Sequence, residues 1–281
     1  MIPNPFDYTA PATLDEALKL AGSGDAKVLA GGMSLIPLMK LRLAAPESVI
    51  DLGRIPGLNQ IAESTGIITI GAMTTHHAVE TSPLVRGKIP LLAETASQIG
   101  DIQVRNMGTI GGSIAHADPA ADYPAALVAL EAIIHLRSAT GDRTVEAADF
   151  FIDAFTTAME PGEIIVDVQV GAEKPSEGYK YEKVPHPASG FPVVGVAARV
   201  HQVAGKITLA RIGVTGMASH AFRARNAEEM LENGASIADA AAVVGEGIDA
   251  NTDLYASADY RRHLARVHAA RALSAAVSRA S

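Results

Sequence analysis

Two glycine pairs, each followed closely by a serine, are the residues best suited to chemistry: Ala30-Gly31-Gly32-Met33-Ser34 and Thr109-Ile110-Gly111-Gly112-Ser113. Paired glycines leave backbone N–H groups uncovered, and two such loops converging can clasp a diphosphate without any basic side chain. That is the chemistry of a dinucleotide site, and a Rossmann nucleotide domain would make the same claim. The charge balance favours a local grip of this kind: 23 Lys and Arg stand against 31 Asp and Glu, a net charge of −8. So acidic a chain is a poor partner for nucleic acid or an anionic membrane surface.

Other residue types narrow the chemistry by exclusion. Cysteine is absent, which removes disulfides, thiolate zinc sites, iron–sulfur ligation and thiol nucleophiles, so redox work needs a bound cofactor. No strand–Gly-x-Ser-x-Gly–helix elbow occurs, and serine hydrolysis has no support. His116, Asp118 and Asp122 have a spacing that fits no familiar metal loop, and Asp122 reads as a helix cap. Gly245-Glu246-Gly247-Ile248-Asp249-Ala250 imitates a Rossmann fingerprint but follows an alanine-rich helix rather than a strand, so it reads as a C-cap and turn. His76-His77 reads as a partly exposed helix start, and Arg261-Arg262-His263 as a solvated face.

The elements that must position these residues follow from pattern. With 281 residues, 48% of them hydrophobic, the chain fills at least one substantial core. Thr13 to Glu16 forms a capping box for a helix that Gly22 stops. Val28-Leu29-Ala30 reads as a short buried strand entering the first glycine loop, and Ser34 caps the helix beyond it. Gly66 to Gly71 reads as a strand, Thr74 or Thr75 as the cap of a segment starting at His76, and Leu91 to Ile99 as helical. The second loop follows Asp101 to Asn106, and Asp122 with Pro124 marks the next helix start.

From Gly178 the pattern changes to antiparallel strands at 179–184, 193–203 and 207–214, with Gly205-Lys206 as the hairpin turn. Helices are expected at 224–233, 237–248 and 260–279, the last with an apolar face of Leu264, Val267, Ala270, Leu273 and Val277. The fold class is α+β, with a boundary between residues 172 and 177. The N-terminus lacks a secretory pattern, and the apolar run Tyr123 to Leu136 is too short to span a bilayer, so a cytoplasmic location is expected.

The run Gly100 to Gly112, taken with the Ala30 to Ser34 loop and Gly71-Ala72-Met73-Thr74-Thr75-His76, resembles the FAD-binding medium subunit of molybdenum hydroxylases. This is the family of the carbon monoxide dehydrogenase flavoprotein and the xanthine dehydrogenase flavin domain. The resemblance implies an FAD-binding domain of the vanillyl-alcohol-oxidase (PCMH) type over residues 1–172, split near 56, and a small α+β domain over 173–281. It implies that Ala30, Gly31, Gly32, Met33, Ser34, Thr109, Gly111, Gly112 and Ser113 hold the FAD diphosphate. Ala72 and Thr75 would lie along the cofactor and Asp122 would contact it. Ile99, Ile165 and Phe191 would pack near it, with Lys183 close enough to stabilise charge on it. Ser113 stands where the family commonly has asparagine, a shorter reach with the same donor and acceptor.

The same resemblance implies partners: a large subunit with a molybdenum cofactor and a small subunit with two 2Fe-2S clusters, as a dimer of heterotrimers. This chain would take electrons onto FAD and pass them to an external acceptor. Two other readings are a self-contained flavin reductase or oxidase, which needs acid/base residues over the flavin, and a binding or assembly protein without cofactor. Asp122→Ala is expected to weaken FAD retention with the fold intact.

Overall fold

Apolar runs of period two and of helical period alternate through the chain, and they assemble into three cores in a computed structural model that describes residues 2–22 and 26–280. Strands β1 (Asp7–Thr9), β2 (Ala26–Leu29) and β3 (Ser48–Asp51) form a parallel sheet of order β1-β3-β2. Helix α1 (Leu14–Ala21) starts at Thr13, whose Oγ1 accepts from Glu16 N at 3.3 Å. Glu16 Oε2 in turn accepts from Ala12 N at 3.2 Å, so the box closes one residue before the cap. Ala17 and Leu18 pack on Ile50, Leu52, Ile55 and Leu58. β2 is not the buried strand its residues suggest: it is an edge strand with Val28 36% exposed. After it comes the short helix α2 (Leu35–Lys40).

The second core is built on an antiparallel sheet. β4 (Ile61–Ser64) and β5 (Ile67–Gly71) lead into α3 (His76–Thr81), α4 (Pro83–Lys88), α5 (Pro90–Ser97), α6 (Ile102–Met107), α7 (Ile110–His116) and α8 (Tyr123–Ala129). β6 (Ile133–Ser138), β7 (Gly141–Glu146), α9 (Ala147–Phe150), β8 (Phe151–Asp153), β9 (Thr156–Thr157) and β10 (Ile164–Gly171) follow. The strand order is β4-β5-β10-β6-β7, with β8 and β9 as a separate hairpin. Ile68, Ile70, Leu91, Leu92, Ile110, Ile114, Tyr123 and Leu127 fill the space beneath the helices.

The third core has β11 (Glu177–Pro185), β12 (Pro192–Val203), β13 (Lys206–Thr215) and β14 (Phe222–Arg223) in sequential antiparallel order, with α10 (Arg225–Glu232), α11 (Ile237–Ala242) and α12 (Ala258–Arg279). The β12–β13 turn falls one residue earlier than expected. Ala204 and Gly205 both have positive φ (50° and 77°) and Lys206 already pairs with Val203, because a tight two-residue hairpin needs two left-handed residues. α11 ends at Ala242.

The buried stripe of α12 is rotated from the expected face. It runs through Arg261, Leu264, Ala265, His268, Ala269, Ala272, Leu273 and Ala276, leaving Val267, Ala270 and Val277 at its flanks. Close approach selects small residues: a Cβ on Gly178 of β11 would stand 2.0 Å from the Ala276 carbonyl oxygen. Arg261 is buried rather than solvated, because its guanidinium satisfies the carbonyls of Val193 (2.6 Å) and Gly216 (2.7 Å) and pairs with Asp253. No helix among the described residues is long and apolar enough to cross a membrane.

The second and third cores meet where α8 lies on β13, and a Cβ on Gly213 would stand 2.0 Å from the Ala125 carbonyl oxygen. Gly213→Val should therefore cost more than about 2 kcal/mol in urea denaturation, since backbone must move to admit it. A loss below about 0.5 kcal/mol would show that the contact yields freely.

Candidate functional site

The two glycine pairs meet, and they do so by excluding side chains. A Cβ on Gly31 would stand 2.0 Å from the Met107 carbonyl oxygen and 2.7 Å from Gly108 Cα, while one on Gly112 would stand 3.2 Å from Ala30 Cβ. A Cβ on Gly111 would meet Ala72 Cβ at 2.5 Å. The two segments do not present equivalent amides, contrary to the sequence expectation. Gly111 and Gly112 lie inside the first turn of α7, which Thr109 caps, its Oγ1 accepting from Gly112 N at 3.1 Å. Gly111 N donates to Ala72 O (2.8 Å) and Ser113 N to Thr109 O (3.0 Å). In the first segment no protein acceptor among the described residues meets the amides of Gly31, Gly32, Met33, Ser34 or Leu35. Ser34, expected to cap α2, makes no capping bond.

Between the segments lies a cavity of about 540 Å³. Every site residue read from the sequence lines it except Thr75 and Lys183. Thr75 stands behind the wall, with Oγ1 capping α3 through Ala78 N (3.2 Å) and backbone bridged to Thr109. Lys183, from β11, is also a backing residue: its Nζ lies 2.8 Å from Asp122 Oδ1 and donates to Gln98 O at 2.8 Å.

Asp122 is 4% exposed and stands at the N-cap position of α8, as expected, but its side chain makes no capping bond. Its backbone is already helical (φ −75°, ψ −47°), and the carboxylate is engaged elsewhere, accepting from Lys183 and from Tyr181 Oη at 2.8 Å. Burial pushes this carboxyl up to about 6, against the opposing pull of Lys183 and Tyr181. The expectation that Asp122→Ala leaves the fold intact is therefore revised, because Lys183 would lose the counter-ion of a side chain 2% exposed.

Sequence reasoning missed several lining residues. His76 is 4% exposed rather than a partly exposed helix start, since its N–H donates to Gly108 O (2.9 Å) and draws the start of α3 inward. Burial, with the nearby Arg105 cation, lowers its imidazole to about 4. Phe155 has φ 54° and donates its N–H to Ala117 O at 3.0 Å, bringing its ring 5.1 Å from that of His116. Glu163 accepts from Arg143 Nε and Nη2 (2.6 and 2.8 Å), and this fork holds its carboxyl below the usual range. Asp118 Oδ1 accepts from Ala120 N (2.8 Å). His76 carried a sequence signal, its place directly after the capping threonine, and Asp118 stood in the His116, Asp118 and Asp122 group weighed as a metal site.

The donor set fits a dinucleotide. Unpaired amides suit an anion, a carboxylate suits sugar hydroxyls, and Ile99, Ile164, Ile165 and Phe191 supply apolar wall for flat rings.

Two titrations follow from the site. Asp122→Asn should cost about 3–5 kcal/mol by leaving Lys183 buried and unpaired, and adding Lys183→Met should recover most of it in a double-mutant cycle. For His76, the unfolded chain binds its proton near 6.5 and the folded chain only near 4, so the stability it contributes is lost as pH falls through that window. Asp122 acts in the opposite sense, gaining its proton first in the folded chain. His76→Gln should therefore lose less stability than the parent between pH 6.5 and 4 in urea titrations, and an unchanged slope would place the imidazole in water.

Residues 4–172 match the family described as FAD binding domain in molybdopterin dehydrogenase, and residues 179–276 match the CO dehydrogenase flavoprotein C-terminal domain. The chain is 40% identical to the carbon monoxide dehydrogenase medium chain of Hydrogenophaga pseudoflava, over 99% of each chain. It is 37% identical to the 6-hydroxypseudooxynicotine dehydrogenase complex subunit alpha of Paenarthrobacter nicotinovorans, over 100% of this chain and 97% of the other. A solved carbon monoxide dehydrogenase from Hydrogenophaga pseudoflava, lacking the Mo-pyranopterin moiety of its molybdenum cofactor, superposes with a TM-score of 0.96 at 41% identity, covering 100% of both chains. Two glycine segments closing on a dinucleotide cavity, an α+β fold and full-length matches agree: the chain belongs to the FAD-binding medium-subunit family of molybdenum hydroxylases.

Proposed function

We propose that this chain is the electron exit of a molybdenum hydroxylase complex, standing between a small 2Fe-2S subunit that feeds it and an external acceptor. A large subunit carrying the molybdenum cofactor would perform the hydroxylation. FAD, when bound, supplies the redox chemistry. The observation that carries this reading is that the cavity's carboxylates are engaged by the protein itself. Asp122 is held by Lys183 and Tyr181, Glu163 by Arg143 and Asp118 by the Ala120 amide. Such a lining binds and orients a cofactor, and its two buried carboxylates, Asp122 and Glu163, are tied to cations rather than free for acid/base work on an organic substrate, as a self-contained flavin enzyme requires.

The names of the relatives, a medium chain and a complex subunit, support large and small partners. A dimer of heterotrimers in the cytoplasm is the assembly proposed. Within the chain we assign residues 1–172, divided near 56, to FAD binding and 173–281 to the second domain. The free amides of Gly31 to Ser34, with Thr109, Gly111, Gly112 and Ser113 opposite, would grip the diphosphate beside Ala30 and Ala72. Asp122 would accept hydrogen bonds from the cofactor. Ile99, Ile165 and Phe191 would exclude water from its rings, while Thr75 and Lys183 would act from behind the wall.

Gly31→Val should abolish visible flavin absorbance in the purified chain, because the segment cannot keep its place against Met107 with a side chain there. Full FAD content in this variant would remove the diphosphate from the glycine segments. Anaerobic substrate should bleach the flavin only when both partner subunits are present. Direct bleaching of the isolated chain would instead support a self-contained enzyme.

A further inference from the structure

His76 is a base buried in the cavity wall with an unused nitrogen. Its Nδ1 is buried without a hydrogen-bond partner, so a ligand in the cavity would meet the other ring nitrogen, Nε2, which a Cβ on Gly108 would approach to 2.6 Å and which thus abuts the residue that leads into Thr109. The groups around it come from three helices: Arg105 from α6, Tyr123 from α8 with ring centroids 5.3 Å apart and Asp122 beside it, and His77 and Glu80 from α3 itself. Arg105 Nε lies 3.0 Å from Glu80 Oε2, so that carboxylate already has a cation.

The charge around the cavity needs a counterweight when an anion enters. Its ionisable lining consists of Asp118, Asp122 and Glu163 against Lys27, His76 and His116. Lys27 is exposed on β2 and His116 is half-buried, which leaves His76 as the buried base beside the glycine segments. A diphosphate adds two negative charges to a wall that already carries carboxylates, and a low-dielectric site strengthens their pull on a proton.

We propose that His76 is the proton-accepting contact of the FAD diphosphate: neutral in the empty chain, imidazolium in the loaded one, so that FAD binding draws a proton from solvent. The inference rests on the diphosphate lying between the two glycine segments. The balance is simple: the dianion and one solvent proton enter together, the proton resides on the imidazole, and no bond of FAD is made or broken. The site thereby supplies a cation on demand while staying uncharged in the empty wall, where a permanent cation would sit beside Arg105.

Calorimetric titration of FAD into the apo chain at pH 6, in two buffers of different ionisation enthalpy, counts the protons taken up. About half to one proton per FAD more is expected for the parent chain than for His76→Gln, with affinity about tenfold weaker in the variant. No uptake in the parent, or equal uptake in His76→Gln through Asp122 or another group, overturns the proposal. Should the variant fail to fold, ¹⁵N-histidine spectra of the parent decide it. Both His76 ring nitrogens should be protonated in the loaded chain and only one in the empty chain, and a neutral His76 in the loaded chain overturns it. FAD retained by Gly31→Val would instead bring down the placement of the diphosphate, so the two failures are distinguishable.

Discussion

The backbone of residue 31 rests against the backbone of Met107 and Gly108 so closely that no side chain fits between them. That approach joins the parallel sheet at the N-terminus to the helical layer behind α7, and the cavity exists because the two layers touch there. It also divides the work of the two glycine pairs. The second pair spends its amides on Ala72 and the Thr109 cap, which fixes α7 in place. The first pair then has a rigid surface to lean on, and its own amides meet no protein acceptor among the described residues. A rigid support beneath free donors is what preorganises an anion site, since the donors need not reorganise when the ligand arrives.

The C-terminal sheet is part of the same unit. β11 sends Tyr181 and Lys183 across to Asp122, while Thr215 of β13 donates to the carbonyls of Pro119 (3.0 Å) and Ala121 (2.7 Å) just before it. On the far side of α8, Glu131, at φ 52°, is clasped by Arg211 (2.6 Å), Arg223 (3.3 Å) and Arg199 (3.4 Å) from β12 to β14. The exposed side of that cluster contributes little by itself. The buried Asp122–Lys183 pair differs, because each charge is tolerable only with the other in place. The wall of the cavity and the docking of the second domain therefore share one interaction.

Much of the fold was legible in the residues. The Thr13 capping box, the β5 run, the Thr75 cap and the long antiparallel strands are set by local chemistry, and each appears within a residue or two of its expected place. The misreadings have a common cause. β2 looked buried because Val28 and Leu29 are apolar, yet an edge strand beside a cavity leaves them partly open. Asp122 looked like a cap because it precedes Tyr123-Pro124, yet a cation and a hydroxyl from β11 claim it first. Phe155 had no signal at all, since its position depends on a hydrogen bond from the turn between β8 and β9 to Ala117 at the end of α7.

The sequence by itself determined the residue types the site requires: glycine where two backbones touch, no cysteine, too few cations to hold an anion by field alone, and a set of motifs that identifies the family. Tertiary structure decided which of those residues do the holding. Local patterning specifies which amides a helix start or a loop exposes, but whether another segment then satisfies them depends on contacts between residues distant in the chain. The same holds for burial: His76 sits in a polar-looking stretch, and only the pairing of its backbone with Gly108 turned it into the wall. Charge states follow burial, so the electrostatics of this cavity belong to the folded chain and not to its composition.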